Sequence, residues 1–193
     1  MNAVPEAPAR GLAETIRAAQ AGDEASFEAL MEATQRKVAV LAHRMLGSAD
    51  EARDVVQEVY LRVYRSLGSF RADENFHGWL YRITLNVCRD AARKRRRAVP
   101  LPENDAVLPP ALVTPDASES AAFAAQRAAL LARALATLPE KERRAIVLRD
   151  LEGLETREVA RILGSSPITV RTQIWSGRKR LHAFLVRAAG RRP

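Results

Sequence analysis

Cysteine is almost absent from this chain of 193 residues. Cys88 is the single cysteine, which excludes an internal disulfide and any cysteine-rich zinc site. The three histidines, His43, His77 and His182, are scattered and form no pair at metal-ligand spacing. We therefore expect neither a metal nor another cofactor, and we interpret Cys88 as a packing residue rather than a redox sensor.

Long apolar runs and enzyme motifs are missing as well. No uninterrupted apolar stretch approaches the ~20 residues that span a bilayer, and MNAVPEAPARG at the start has no hydrophobic segment after a basic residue. We therefore expect no direct membrane insertion and a cytoplasmic protein. The sequence also has no Gly-Lys-Ser/Thr phosphate loop and no nucleophile elbow, which predicts that it is not an enzyme and takes no small-molecule substrate.

Aromatic residues make up only 5% of the chain, whereas apolar residues make up 47%. Positive charge is in excess, because the net charge is +8 and the isoelectric point is near 10.5. Such an excess predicts a polyanionic partner. An anionic membrane surface would satisfy the charge alone, so the motifs must identify the partner.

Apolar residues recur with helical spacing in two parts of the chain. The periodicity indicates about four helices in residues 1–98 and a second helical unit in residues 120–193. Residues 99–119 contain five prolines and are locally acidic, as is typical of an extended, mobile linker. We therefore predict an all-α protein of two small helical domains joined by a flexible Pro-rich linker.

Residues 70–97 form a loop and a helix rich in arginine. Leu80, Ile83 and Val87 make an apolar stripe. A different side of the helix, which we call the strand-binding face, carries Arg82, Asn86, Arg89 and Arg93, and an arginine tail follows at Arg95, Arg96 and Arg97. Guanidinium groups hold phosphates and exposed rings stack bases, so this helix together with the rings of Phe70, Phe76, Trp79 and Tyr81 suits a nucleic-acid strand. The alternative is that Trp79 and Tyr81 belong to the core and the arginines to an ordinary solvated face.

The preceding helix carries an unusual surface for a basic protein. Asp54, Gln57, Glu58 and Leu61 recur at i, i+3, i+4 and i+7 and form what we call the acidic face. Such a face could dock a basic partner while nucleic acid is held elsewhere. An ordinary solvated helix face is the alternative.

Residues 156–185 contain a short helix, a turn at Gly164 and a second helix that begins at Ser166 and Pro167. This is the helix-turn-helix pattern. We expect Ile168, Val170, Ile174 and Leu181 to supply the packing side of the second helix. Its remaining side chains are of the types that contact base edges and phosphates, namely Thr169, Arg171, Thr172, Gln173, Ser176, Arg178, Lys179 and Arg180. An ordinary helical hairpin is the alternative.

These patterns together resemble bacterial sigma factors of the extracytoplasmic-function (ECF) group, the compact two-domain members of the sigma-70 family. The resemblance rests on DVVQEVYLRVYRSLGSFR (54–71), FHGWLYRITLNVCRD (76–90) and LPEKERRAIVLRDLEGLETREVARILGSSPITVRTQIWSGRKRL (138–181). The order and spacing of these segments, on either side of the linker, make the resemblance specific.

The resemblance implies a role for each surface. The acidic face would bind the basic coiled coil in the largest subunit of core RNA polymerase. Residues 70–86 would recognise and melt the promoter −10 element, with Asn86 at a flipped base, Phe70 in the loop that pockets it, and the arginines from Arg89 onward on duplex phosphates. The helix-turn-helix would read the −35 element, and the linker would thread the RNA path of the polymerase. The family also implies an anti-sigma partner, often membrane-anchored.

Some positions depart from the family pattern. Gln173 stands where arginine is common, and Trp175, Ser176 and Gly177 replace a common Ser-Arg-Ala. Gly177 within a helix costs ~1 kcal/mol relative to alanine. These departures leave the −35 preference unpredictable. A ligand-responsive helix-turn-helix regulator is the other function class, but it requires a sensor pocket in the N-terminal domain, where the sequence has an arginine-rich helix.

Overall fold

The computed structural model of the protein describes residues 11–71, 75–97 and 119–190. Within these ranges every regular element is a helix, so the predicted all-α class is confirmed. Residues 99–118 of the expected linker lie outside the described residues, and its last residue, Glu119, begins a helix. Among the residues that the structure describes, no helix is long and apolar enough to cross a membrane.

In the described part of the N-terminal unit there are four α-helices, α1 (Leu12–Gln20), α2 (Glu24–Leu46), α3 (Ala49–Ser66) and α4 (Phe76–Arg97), and a short 3-10 helix at Leu67–Ser69. Their boundaries follow local signals in the sequence. Helix α2 ends at Gly47 with φ of 75°, a left-handed conformation that glycine adopts without steric cost.

Side chains cap the starts of the next two helices. The hydroxyl of Ser48 accepts the backbone N–H of Glu51 at 3.3 Å, at the start of α3. Asn75 accepts the N–H of Gly78 at 3.1 Å, at the start of α4. Each bond satisfies one of the backbone donors that a helix leaves unpaired in its first turn.

Between residues 119 and 190 the C-terminal unit also has four α-helices: α5 (Glu119–Ala136), α6 (Glu140–Ile146), α7 (Thr156–Leu163) and α8 (Pro167–Ala189). A π turn at Val147–Leu151 continues α6 toward α7. Helices α7 and α8 with the turn between them are the helix-turn-helix, as the sequence predicts.

The two units pack against each other. Helix α5 lies against α2, and α7 lies against α4. Buried apolar side chains run continuously from one unit to the other, including Leu41 and Leu80 of the N-terminal helices and Leu135 and Leu148 of the C-terminal ones. The surfaces predicted to bind other molecules therefore belong to a closed arrangement of the two units.

Candidate nucleic-acid and polymerase interfaces

The strand-binding face lies on one side of α4 as its spacing predicts. Arg82, Arg89 and Arg93 are exposed and Asn86 is half-buried. The opposite side of the helix packs into the core, where Leu80 is fully buried. Periodicity alone therefore separates the packing side of this helix from its polar side.

The aromatic rings at the start of α4 differ from the expectation that they are exposed. Phe70, Phe76 and Tyr81 are only 5%, 4% and 4% exposed. The ring of Phe70 lies 5.5 Å from that of Phe76 and 5.0 Å from that of Trp79, measured between centroids. Rings in such tilted and edge-to-face contacts stabilise one another and exclude water. Trp79 alone stays half-buried, and it is the ring of this cluster that a base could reach.

The arginine tail is exposed, as expected, but its members are not equivalent. Nη1 of Arg95 lies 2.9 Å from Oε2 of Glu51 on α3. Among the described residues, Arg96 and Arg97 have no carboxylate at ion-pair distance. These two guanidinium groups can therefore contact phosphates without first breaking an ion pair.

The acidic face is exposed on α3. Asp54 and Gln57 are exposed, Leu61 is 52% exposed and the side chain of Glu58 is 42% exposed. Arg62 donates to Glu58 at 2.7 Å and to Asp90 of α4 at 3.1 Å. The hydrogen bond to Glu58 is the main cause that raises the pKa of Arg62, and the bond to Asp90 raises it further. The bond from Arg62 also holds the Glu58 carboxylate in place.

A groove of about 570 Å³ runs between α3 and α4 beside the acidic face. It is lined by four carboxylates, those of Glu51, Asp54, Glu58 and Asp90. Three cationic side chains, Arg62, Lys94 and Arg95, lie among them. The apolar side chains of Val55 and Val87 form part of its wall. Carboxylates above an apolar wall match a basic amphipathic helix, whose cations and apolar side chains would be satisfied together.

The helix-turn-helix is built by local signals that the sequence displays. Gly164 ends α7 with φ of 60°, and the hydroxyl of Ser166 accepts the N–H of Thr169 at 3.1 Å to start α8. Pro167 occupies the first turn of α8, where its missing N–H costs nothing. Helix α8 therefore begins directly after the turn that ends α7.

The polar residues predicted along α8 fall into four groups. Thr169, Arg171 and Thr172 are exposed, whereas Gln173 and Ser176 are half-buried. Lys179 lies over the ring of Trp175, 5.5 Å from its centroid. The remaining two cations are held by carboxylates of the same unit: Arg178 by Asp150 at 2.6 Å and Arg180 by Glu142 at 3.0 Å.

Sequence reasoning missed two apolar residues on α8. The prediction that Ile168 packs is wrong, because its side chain is 72% exposed. Trp175, at i+7, is 66% exposed. The helix turns the side of Val170 and Ile174 toward α6 and α7, so these two residues lie outward beside Arg171 and Thr172. Their i, i+7 spacing is the signal in the sequence that groups them.

Cys88 packs in the N-terminal core, as predicted. It is 2% exposed, and burial raises the pKa of its thiol to about 12. A thiol that stays protonated at neutral pH is a poor nucleophile, so this cysteine has the properties of a packing residue.

Comparison with protein families supports the assignment of both units. Residues 30–98 match the family model for sigma-70 region 2. Residues 128–181 match the model for sigma-70 region 4. The first range contains the acidic face and the strand-binding face, and the second contains the helix-turn-helix.

Two relatives match over most of their length. The ECF RNA polymerase sigma-E factor of Escherichia coli strain K12 is 35% identical over 170 residues, which cover 85% of this chain and 88% of the relative. The RNA polymerase sigma-H factor of Pseudomonas aeruginosa is 32% identical over 182 residues, which cover 89% of this chain and 92% of the relative. The similarity therefore extends through both helical units.

Solved structures show the same fold. CnrH in complex with the cytosolic domain of CnrY matches with a TM-score of 0.67 at 26% identity, over 90% of this chain and 96% of that one. The sigma factor RpoE of Bartonella quintana, in complex with the anti-sigma factor NepR, matches in fold with a TM-score of 0.64 at 23% identity. The match covers 82% of this chain and 96% of that one.

The two units and their matching regions define a sigma factor of the sigma-70 family. Given the identity and coverage of its relatives, the chain belongs to the extracytoplasmic-function group of that family. It therefore acts in transcription initiation, and the alternative of a ligand-responsive regulator is excluded.

Proposed function

We propose that this sigma factor binds core RNA polymerase through the acidic face of α3, recognises and melts the −10 element with α4, and reads the −35 element with α8. It works in the cytoplasm, where the polymerase is, and it performs no catalytic step of its own. The observation that supports this best is the separation of three exposed surfaces on one chain, one acidic and two rich in arginine and polar groups.

The −10 assignment rests on the polar side of α4. Asn86 offers an amide that can both donate to and accept from a base edge, and Arg82 lies one turn before it. Trp79 presents a partly open ring against which an unpaired base can stack. Extruding a base costs a few kcal/mol of stacking, and these contacts would offset that cost. Arg89, Arg93 and the arginine tail would then hold the duplex phosphates upstream.

The −35 assignment rests on the outward side of α8. The guanidinium of Arg171 is exposed and has the geometry to bind guanine with two hydrogen bonds. Ile168 and Trp175 present apolar surface, which suits the C5-methyl group of thymine. Arg178 and Arg180 are already paired with carboxylates, so we assign them to positioning on phosphates rather than to base readout.

Transcription in vitro with purified core polymerase and a genomic template library tests this function. Promoter-specific starts should appear when the chain is added and be absent with core alone. On duplex templates an Asn86→Ala variant should give fewer starts than the wild type. On templates with a pre-melted −10 region the variant should give more starts than it gives on duplex templates. Identical starts with and without the chain would contradict the proposal.

An anti-sigma factor is the partner that we propose for regulation. A protein of the same fold has been solved with one, and this chain exposes large apolar side chains that such a partner could cover, including Leu61 and Tyr64 of α3. Affinity purification from uninduced native cells should recover a stoichiometric small partner. Recovery of the chain only free or with polymerase would contradict this part of the proposal.

A further inference from the structure

The ion pair between Arg178 of α8 and Asp150 consists of two parallel hydrogen bonds. Nε of Arg178 donates to Oδ2 of Asp150 at 2.9 Å, and Nη2 donates to Oδ1 at 2.6 Å. The hydrogen bonds to Asp150, together with the attraction between the two charges, raise the pKa of Arg178. A fork of this kind fixes the plane of the guanidinium group as well as its position. The guanidinium of Arg178 is therefore held in one orientation.

Asp150 lies in the π turn that follows α6. The turn covers Val147–Leu151, and the backbone N–H of Glu152 donates to the carbonyl of Val147 at 2.9 Å. Val147 and Leu148 are buried, so the turn is anchored in the core. Single π turns are rare and are frequent at functional sites, and their i→i+5 spacing is wider than that of an α-helix. Its side chains therefore leave the chain in directions that a regular α6 would not give, and that of Asp150 reaches α8.

One end of the Arg178 guanidinium remains available for another partner. The bonds to Asp150 use the side formed by Nε and Nη2, whereas the N–H groups of Nη1 lie at the other end of the group. Among the residues that the structure describes, Nη1 has no hydrogen-bond partner. The side chain of Arg178 is 60% exposed and that of Asp150 is 25% exposed. The carboxylate therefore lies behind an arginine that still reaches solvent.

Arg178 lies on the same side of α8 as the residues assigned to base readout. It follows Arg171 by seven residues and Trp175 by three, and both spacings bring side chains to one side of a helix. Arg171 and Trp175 are exposed. A duplex whose base edges met these two residues would bring its sugar-phosphate backbone to Arg178, since phosphate contacts flank base contacts in such complexes.

Arg180, the other paired cation of α8, is held differently. Its Nε lies 3.0 Å from Oε2 of Glu142, and the two side chains form no fork of hydrogen bonds. A contact through one pair of atoms leaves the guanidinium plane free to turn. The fork therefore distinguishes Arg178 from the neighbouring paired cation.

We propose that Asp150 is a positioning residue for DNA binding: it holds Arg178 so that the free end of the guanidinium meets a phosphate of the −35 duplex. This inference rests on the proposed reading of the −35 element by α8. It assigns a favourable role to a carboxylate that lies outside α8. Because Arg178 loses its rotamer freedom when the protein folds, less of that entropy is lost when DNA binds.

Charge alone predicts the opposite effect of Asp150. A carboxylate beside DNA repels phosphates, so its removal would tighten binding if charge were its only contribution. Removal of a positioning residue weakens binding, because the side chain of Arg178 then turns freely and must be ordered by the duplex. The sign of the change in affinity therefore separates the two roles.

Asp150→Ala tests the proposal in the full-length protein assembled with core polymerase. The probe is a labelled duplex that carries the −35 element of a promoter identified by transcription in vitro and lacks the −10 element. Asp150→Ala should lower the affinity about threefold to tenfold and Arg178→Ala about tenfold, as expected when a hydrogen bond to a charged group is lost. Glu155→Ala is the matched control, because it deletes an exposed carboxylate of the same unit whose side chain has no partner among the described residues. The control should not lower the affinity.

Two conservative variants separate orientation from charge and from folding. Arg178→Lys keeps the positive charge but cannot form two parallel bonds, so it should bind the duplex more weakly than the wild type. Asp150→Asn keeps the shape of the side chain and offers a single acceptor oxygen, so its affinity should lie between those of the wild type and Asp150→Ala. Thermal unfolding shows whether each variant is folded at the temperature of the assay.

Neutral phosphate analogues locate the contact. A methylphosphonate linkage removes the charge of one phosphate at a time. In the wild type, neutralising the phosphate that Arg178 contacts should lower the affinity, and Asp150→Ala and Arg178→Ala should both lose the sensitivity to that phosphate alone. Both variants should also show a log–log salt slope smaller by about 0.9, the value for one phosphate contact. A variant that was merely less stable would keep the sensitivity to that phosphate, which would contradict the proposal.

The double variant completes the test. In the Arg178→Ala background, Asp150→Ala should cause no further loss of affinity, since no guanidinium remains to be positioned. Unchanged or tighter binding by Asp150→Ala alone would overturn the role of Asp150, and so would a loss that persisted in the Arg178→Ala background. If the wild type bound the −35 duplex no better than a shuffled duplex, the assignment of α8 would fail and the role of Asp150 with it. A wild type that prefers the −35 duplex, with no effect of Asp150→Ala, would contradict this inference alone.

Discussion

A Cβ atom placed on Gly177 would lie 2.7 Å from Cγ1 of Ile146. The glycine sits in the middle of α8, where sequence reasoning counts only a loss of helix propensity. The structure shows that α8 crosses α6 so closely at this point that a side chain on residue 177 would force that of Ile146 to move. Gly177 therefore permits the close approach of α8 to α6.

Gly177→Ala should consequently destabilise the protein, although alanine favours helices by ~1 kcal/mol over glycine. Overpacking of a buried contact costs typically ~1–3 kcal/mol, so the net loss should be measurable by urea unfolding. Gly68→Ala is the control, because a Cβ there meets nothing within 4 Å. A Gly177→Ala protein at least as stable as the wild type would mean that α6 and α8 make room for the added methyl group without a loss of stability.

Glu58→Lys should weaken binding to core polymerase by at least about tenfold, because like charges that meet across an interface cost several kcal/mol. The variant also loses the ion pair to Arg62, but that pair is about 40% exposed on each side and should contribute less than ~1 kcal/mol to stability. Fluorescence anisotropy with labelled sigma factor measures the affinity. Glu155→Lys makes the same charge reversal in the C-terminal unit; if it weakened binding equally, the effect would not be specific to the acidic face.

Thymine recognition by α8 can be tested atom by atom. Replacing each thymine of the −35 element by deoxyuridine removes only the C5-methyl group. Where Ile168 or Trp175 covers that methyl, wild-type affinity should fall about fourfold, given ~0.8 kcal/mol per buried methyl. Ile168→Ala and Trp175→Ala should bind both probes equally, while Val186→Ala, also exposed on α8, should keep the wild-type discrimination. Equal affinity of the wild type for both probes would exclude methyl readout.

Stability should fall in mild acid. Burial lowers the pKa of His43, and the nearby Arg44 lowers it further, against an opposing effect of the Ser48 backbone. The unfolded chain therefore takes up a proton near pH 6.5 before the folded one does. Folding stability should be constant above that pH and decline below it, by at most ~1.4 kcal/mol per pH unit for each such histidine.

Thermal unfolding between pH 7.5 and 5.5 measures this effect. His43→Leu should flatten the decline but not abolish it, because burial and Lys37 also lower the pKa of His77. A wild-type protein whose stability rises below pH 6.5 would contradict the sign of the effect.

The sequence by itself determined the features that depend on neighbours along the chain. Ser48 and Ser166 start helices because their hydroxyls reach a backbone N–H three residues ahead, and Gly47 ends one because it adopts positive φ. The acidic face follows from helical spacing in the same way. These interactions form within one or two turns, so the order of residues specifies them, and the family resemblance rests on the same local patterns.

Tertiary structure decided which flank of each helix is covered. Periodicity placed Ile168 with the packing residues, but the crossing of α8 over α6 at Gly177 turns that flank outward. The sequence analysis counted the ring of Phe70 among the exposed rings, whereas in the structure the rings of Phe76 and Trp79 enclose that of Phe70. The bond from Glu152 to Arg44 joins residues 108 positions apart, and no local pattern encodes such a pair, because its geometry exists only once two separately formed helical units have docked.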